Sequence, residues 1–90
     1  MEGKILIADD ETDIVVMLSQ FFQGKGYRIL TATNGVETLK QVENNPDIIL
    51  LDINMPGMDG LEVCQRIRDY VSCPILFLTA RIEDCLLYTS

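Results

Sequence analysis

Four polar side chains of this 90-residue chain each stand just after a short apolar run. The side chains are those of Asp9, Asp10, Asp52 and Thr79. The runs are residues 4–8 (K-I-L-I-A), 48–51 (I-I-L-L) and 74–78 (P-I-L-F-L). Short apolar runs bounded by turn residues are typical of strands that are buried on both faces, as in parallel sheets. Because the carboxyl ends of parallel strands lie at one edge of a sheet, we expect these side chains to meet there.

The crowding of three carboxylates at one edge predicts a bound cation. Like charges repel one another, and burial raises the free-energy cost of each ionised group. Mg²⁺ prefers oxygen ligands, keeps several waters, and is commonly held by one or two carboxylates together with phosphate oxygens. Beside such an ion, the Asp52 carboxylate can attack phosphorus and form an aspartyl phosphate. The Thr79 hydroxyl can then donate a hydrogen bond to a phosphoryl oxygen.

Each of these features also has a plain structural explanation. Acidic residues before a helix interact favourably with its dipole, and a strand-end threonine is commonly a turn or capping hydroxyl. A single aspartate at a strand end is equally ordinary. The joint occurrence of these residues on the first, third and fourth predicted strands favours the functional interpretation.

Helical periodicity separates the predicted strands. Residues 12–23 place apolar side chains on one helical face, and Gly24 and Gly26 end this first helix. The face consists of Ile14, Leu18, Phe21 and Phe22, with Val15 beside them. Residues 27–33 are rich in β-branched and aromatic side chains and predict the second strand.

Two further helices begin at residues with capping-box spacing. The capping pairs are Asn34 with Glu37 and Asp59 with Glu62. The second helix is predicted to end near residues 44–46 (N-N-P), and the third to span residues 61–70. The inward residues of the third helix are Leu61, Cys64 and Ile67. The resulting β-α-β-α-β-α-β order predicts an α/β fold with a doubly wound parallel sheet.

Composition and charge narrow the class of protein. Ninety residues with 48% hydrophobic content predict a single small domain. The net charge of −7 argues against nucleic-acid binding by this segment. No apolar run reaches the roughly 20 residues needed to span a membrane, and no signal peptide is recognisable, so we expect a cytoplasmic protein.

Residue types that the chain lacks exclude several kinds of site. There is no histidine, which excludes a Ser-His-Asp or Cys-His arrangement and a histidine-ligated metal within this chain. The three cysteines, Cys64, Cys73 and Cys85, have no metal-ligand spacing and are predicted to be reduced thiols.

Three motifs together closely resemble the receiver domains of bacterial two-component response regulators. They are residues 5–11 (I-L-I-A-D-D-E), 50–60 (L-L-D-I-N-M-P-G-M-D-G) and 74–80 (P-I-L-F-L-T-A). The resemblance implies a flavodoxin-like (CheY-like) fold with the family strand order 2-1-3-4-5. It also implies that a sensor histidine kinase transfers a phosphoryl group from its phosphohistidine to Asp52.

The same resemblance implies a role for each site residue. Asp10 and Asp52 would bind Mg²⁺ directly, together with the backbone carbonyl of Asn54, and Asp9 would act on the ion through water. Thr79 would bind a phosphoryl oxygen and shift on phosphorylation. The chain would therefore be a phosphoacceptor, with at most self-phosphorylation and autodephosphorylation activity, and not an enzyme of another kind.

The chain departs from the family pattern after the fourth strand. The family's fifth strand with its lysine, and its last helix, have no counterpart in this sequence, so the expected strand order here is 2-1-3-4. We expect an incomplete receiver domain over residues 1–84, and residues 85–90 resemble an artefactual tail rather than the family. Strand four would then be an open edge, and Phe21 or Phe22 would be partly exposed.

The sequences of these motifs are most similar to those of the winged-helix (OmpR/PhoB-type) class of response regulators. This predicts that the full-length parent is a DNA-binding transcriptional regulator, in which a homodimer can form. Arg66, Arg68 and Arg81 are predicted to be solvated surface charges rather than kinase-docking residues.

Two alternative functions remain open at the level of the sequence. The first is a fragment without switch output, which is inert or serves only as an interaction surface. The second is a haloacid-dehalogenase-type phosphatase, which also uses a strand-end aspartate with Mg²⁺. That enzyme class needs a second acid two residues after the nucleophile, and Asn54 at this position disfavours it.

Overall fold

The computed structural model of the chain describes residues 3–52, 60–68 and 70–78, which form a four-stranded parallel sheet flanked by helices. The strands are β1 (Lys4–Ala8), β2 (Arg28–Ala32), β3 (Ile48–Leu51) and β4 (Ile75–Phe77). Their order in the sheet is β2-β1-β3-β4. The predicted doubly wound sheet and the predicted strand order are both confirmed.

The helices alternate with the strands as predicted. They are α1 (Thr12–Gln23), α2 (Gly35–Gln41) with a following 3₁₀ turn (Val42–Asn44), and α3 (Gly60–Ile67). The predicted bounds of β1, β3 and α1 agree with the structure to the residue, and β2 and β4 are one residue shorter at each end than predicted.

The predicted end of the third helix is wrong by three residues. The helix ends at Ile67, and beyond it the N–H groups of Tyr70 (2.9 Å) and Val71 (3.1 Å) both donate to the carbonyl of Ile67. Val71 and Cys73 then pack against the core, which leads the chain away from the helix axis and into β4. Helical periodicity alone did not reveal this turn.

Alternation along the strands divides the core into two layers. In β1, Leu6 and Ala8 belong to the layer that α2 and α3 cover, while Ile5 and Ile7 face α1. The first layer is the larger, and it contains the inward α3 residues Cys64 and Ile67 that the sequence predicted. The side chain of Leu61 lies outside the described residues.

Helix α1 covers its layer incompletely. Val15 is buried, and Leu18 and Phe22 pack against the layer, but Phe21 is 56% exposed. Its placement on the inward face was therefore wrong, whereas the expected exposure of an aromatic residue is confirmed. At the surface, the Phe21 ring meets the Phe22 ring edge-on, and the Lys25 ammonium lies 5.0 Å from the centroid of the Phe21 ring.

The start of α2 is fixed by side-chain hydrogen bonds. Asn34 Oδ1 accepts from the Glu37 N–H (2.8 Å), as the predicted N-cap requires. The Glu37 carboxylate in turn accepts from the N–H (2.8 Å) and the hydroxyl (2.9 Å) of Thr33. These two bonds hold the pKa of Glu37 below its ordinary value. The other end of the segment closes at Asn45, whose φ of 58° is one that asparagine tolerates better than most residues.

Replacing the cap should destabilise the fold by a measurable amount. Asn34→Ala removes the acceptor for the Glu37 N–H and should lower the free energy of unfolding by about 1 kcal/mol. Asn34→Asp keeps an acceptor at the same place and should stay close to the parent chain. Urea denaturation of the three chains decides the matter, and equal midpoints for Asn34→Ala and the parent would contradict the assigned cap.

Candidate functional site

The backbone ladder of the sheet continues one residue past β1, β3 and β4 at the carboxyl edge. The N–H of Asp9 donates to the carbonyl of Ala32 (3.0 Å), and that of Asp52 donates to the carbonyl of Ala8 (2.8 Å). The N–H of Leu78 likewise bonds the end of β3 (2.8 Å). The sheet itself therefore fixes the backbone positions of Asp9 and Asp52, and these positions do not depend on loop conformation.

Asp9, Asp10 and Asp52 lie together at this edge. A carboxylate oxygen from each lies within 4.8 Å of the others. Asp9 is only 2% exposed, Asp52 is half-buried and Asp10 is exposed, so the cluster has a closed side and an open side. Three oxygens at these separations can surround one small divalent cation and leave the open side for water or substrate oxygens.

The raised pKa of Asp9 shows that the cluster disfavours a third negative charge when no cation is bound. Burial, followed by the charge of Asp52, the hydrogen bond that protonated Asp9 donates to Asp52, and the charge of Asp10, raises the pKa of Asp9 to about 6. The Glu11 N–H opposes this rise by donating to Asp9 Oδ1 at 2.9 Å. A positive ion among these oxygens would relieve both the desolvation and the repulsion, so the donor set fits the Mg²⁺ that the sequence predicts.

The structure thus brings together three of the five predicted site residues. Asn54 and Thr79 lie outside the described residues, although Leu78, the neighbour of Thr79, reaches the same edge. Two backbone contributions were missed by sequence reasoning: the Ala32 carbonyl that holds Asp9, and the Glu11 N–H that orients its carboxylate. An aspartate that bonds the backbone two residues on is an Asx turn, which the acidic run before α1 could have indicated.

Other predicted features can be located as well. Cys64 is buried and Cys73 half-buried, and both are reduced thiols; burial raises the pKa of Cys73. Arg66 is exposed and pairs with Glu62 four residues earlier at 3.2 Å. Among the described residues, none of the helices is both long and apolar enough to cross a membrane.

Comparison with known proteins gives the same assignment over almost the whole chain. The sequence pattern of the response regulator receiver domain matches residues 5–87. PhoP of Bacillus subtilis, the alkaline phosphatase synthesis transcriptional regulatory protein, is 44% identical over 86 residues, which are 93% of this chain and 36% of PhoP. The transcriptional regulatory protein YvrH of the same organism is 48% identical over 84 residues, or 91% of this chain and 35% of YvrH. The chain thus spans about a third of the length of these curated relatives.

Solved structures agree with the sequence matches. The response regulator TrrA of Thermotoga maritima, in complex with Mg(2+)-BeF, is 40% identical with a TM-score of 0.80, covering 93% of this chain and 76% of TrrA. The receiver domain of the Francisella response regulator 1452 is 27% identical with a TM-score of 0.84, covering 98% of this chain and 78% of that one. With the strand order, the acidic edge and these matches in agreement, the chain belongs to the response regulator receiver domain family.

Proposed function

We propose that this chain is a phosphoacceptor signalling domain in which Asp52 receives a phosphoryl group from the phosphohistidine of a sensor histidine kinase. The observation that carries the proposal is the cluster at the carboxyl edge, where oxygens of Asp9, Asp10 and Asp52 lie within 4.8 Å of one another. A carboxylate placed beside two others, half-buried and reachable from solvent, is suited to attack phosphorus once its charge is balanced.

The proposed transfer is an in-line exchange of bonds. An oxygen of Asp52 forms the new P–O bond while the P–N bond of the phosphohistidine breaks, and the electron pair of that bond stays on the imidazole nitrogen. Mg²⁺, when bound, would supply positive charge that stabilises the oxygens of the transferring group. The hydrogen bond from the Asp52 N–H to the Ala8 carbonyl holds the backbone of the nucleophile at this edge, which favours its positioning for transfer.

The roles of the surrounding residues follow from the same proposal. Asp10 and Asp52 would hold Mg²⁺ directly with the carbonyl of Asn54, and Asp9, the most buried of the three acids, would act through water. The Thr79 hydroxyl donates a hydrogen bond to a phosphoryl oxygen, and Thr79 shifts when Asp52 is phosphorylated. TrrA, a related protein whose structure contains Mg(2+)-BeF, supports the assignment of Mg²⁺. Any activity of the chain alone is self-phosphorylation and autodephosphorylation.

The longer parent protein is proposed to be a cytoplasmic, DNA-binding transcriptional regulator that can form a homodimer. The support is that PhoP and YvrH are named as transcriptional regulatory proteins and are about three times as long as this chain. With its net charge of −7, this segment itself is not the part that binds DNA. We propose that the receiver domain occupies residues 1–84; the match of the family pattern extends three residues further, to residue 87.

Labelling of Asp52 is the direct test. Incubation with acetyl phosphate and Mg²⁺ should add one phosphoryl group to the parent chain, detected by mass spectrometry and removed by hydroxylamine. Asp52→Asn should abolish the label, because an amide oxygen is a far weaker nucleophile than a carboxylate, and chelation of Mg²⁺ should do the same.

The matched control is Asp47→Asn. Asp47 precedes β3 while Asp52 follows it, so the control makes the same chemical change at the opposite end of the same strand. The control should label like the parent. Label that survives Asp52→Asn would show that another residue is the acceptor, and absence of label in the folded parent chain would refute its competence as a phosphoacceptor.

Asp9 should make the metal-free chain less stable at neutral pH than in mild acid. Its pKa is about 6 in the folded chain, against 3.8 without the surrounding structure, so the folded state binds more protons between these values. The stabilisation from protonated Asp9 is complete below about pH 4 and is lost as pH rises through about 6. The loss amounts to at most roughly 3 kcal/mol of unfolding free energy.

Asp9→Asn should therefore raise the unfolding free energy of the metal-free chain at pH 7 by roughly 1–3 kcal/mol, and much less at pH 4.5. Urea denaturation in a chelating buffer at both pH values measures the difference. Glu43→Gln is the control, since Glu43 is an exposed acid away from the cluster and should change neither value appreciably. If Asp9→Asn has the same unfolding free energy as Glu43→Gln at both pH values, the raised pKa assigned to Asp9 is wrong.

A further inference from the structure

A groove at the amino edge of the sheet has no part in phosphoryl transfer. It encloses about 650 Å³ between the 3₁₀ turn after α2 and the end of α3. Its apolar lining comes from Leu39, Val42 and Ile67, and its polar rim includes Glu43, Arg66 and Tyr70. We refer to it as the amino-edge groove, because α2 and α3 run antiparallel to the strands and end at the side opposite to the carboxylates. Its volume lies in the range of binding sites for small ligands and side chains.

Tyr70 is the most exposed large side chain of this region. Its side chain lies at the rim of the groove with 81% of its surface accessible. A second cavity of about 420 Å³ also borders Tyr70 and extends towards Asp47 and Cys73. The ring therefore stands between two concave surfaces and offers an aromatic face to whatever enters either of them.

The charges around the groove favour a cation. The Arg66 guanidinium is already paired with Glu62 at 3.2 Å, while Glu43 forms no ion pair within the described part of the chain. In the second cavity, Asp47 is exposed and its Oδ2 accepts from the Lys4 N–H at 2.7 Å, while the Lys4 ammonium donates to the Asn44 carbonyl at 2.9 Å. The dipoles of the helices add partial negative charge at this edge, although the Asn44 carbonyl already accepts from the Lys4 ammonium and the Ile67 carbonyl accepts from two N–H groups.

We propose that the amino-edge groove binds a short segment of a partner protein that carries a basic side chain next to an aliphatic one. The aliphatic side chain enters the groove over Leu39 and Ile67. The basic group lies between the Glu43 carboxylate and the Tyr70 ring, where ionic and cation–π attraction combine. Anionic partners such as nucleic acid or an acidic membrane surface do not fit this charge, and the net charge of −7 repels them further.

The proposed contact is independent of the phosphoacceptor proposal, since it uses none of the carboxylates at the opposite edge. Asp52→Asn should leave partner binding unchanged. Failure of one proposal therefore says nothing about the other.

A peptide titration of the 90-residue chain tests this inference. The probe is an acetylated and amidated tetrapeptide of sequence arginine-leucine-leucine-arginine, followed by amide chemical shifts of the ¹⁵N-labelled chain. Saturable shifts should concentrate at the groove, around Val42 and Ile67. Glu43→Gln and Tyr70→Ala should each weaken binding about two- to fivefold, the range expected for an exposed ion pair and an exposed cation–π contact.

Two controls separate the groove from general charge attraction. Asp13→Asn removes an equal charge from exposed α1 and should leave the affinity unchanged. A peptide with glutamate in place of arginine should bind at least tenfold more weakly. Because Glu43 and Tyr70 are exposed, their variants should keep the parent's unfolding midpoint, which urea denaturation verifies.

Several results would overturn the inference. They are undetectable binding at millimolar peptide, equal affinity for parent and both groove variants, shifts concentrated at α1 or the carboxyl edge, and equal binding of the acidic peptide. An equal loss of affinity in Asp13→Asn would likewise assign the attraction to net charge and not to the groove.

Discussion

The continuation of the parallel ladder past the strand ends is the constraint on which the site depends. Hydrogen bonds from the N–H groups of Asp9 and Asp52 to neighbouring strands fix both backbones at the carboxyl edge. Strands β1 and β3, which lead to these residues, are almost wholly buried, with Leu6, Ile7 and Ile49 inaccessible to solvent. The backbone at this edge therefore cannot move without disturbing the core. The sheet thus holds carboxylates together against their mutual repulsion, and the raised pKa of Asp9 is the visible cost.

Much of this arrangement follows from the sequence, because the signals are local and agree with one another. The buried strands are unbroken aliphatic runs, and the Asn34 cap and the period of α1 are short-range patterns. From four strands joined by helices, the handedness of the crossovers leaves few possible topologies, and the acidic residues then meet at one edge without further assumption.

What the sequence did not predict depends on contacts between distant residues. The end of α3 at Ile67 is set by the packing of Val71 and Cys73 on the core, which no helical period encodes. Phe21 satisfies the apolar period of α1, but at the surface it packs against Phe22 and under the Lys25 ammonium. The same limit applies to Asp9: repulsion was predicted from three acids at one edge, but the degree of burial, which contributes most to its raised pKa, needed the fold.

The direction of the helices gives the two edges of the sheet opposite electrical character. Helix α1 begins beside Asp10, so its unpaired N–H groups contribute partial positive charge where a phosphoryl group is proposed to arrive. The 3₁₀ turn after α2 and the helix α3 end at the other edge, where carbonyls contribute partial negative charge beside Glu43. An anionic group is thereby favoured at the carboxyl edge and a cationic one at the amino edge. Both preferences follow from the parallel topology itself, which requires every helix to return from the carboxyl edge to the amino edge before the next strand begins.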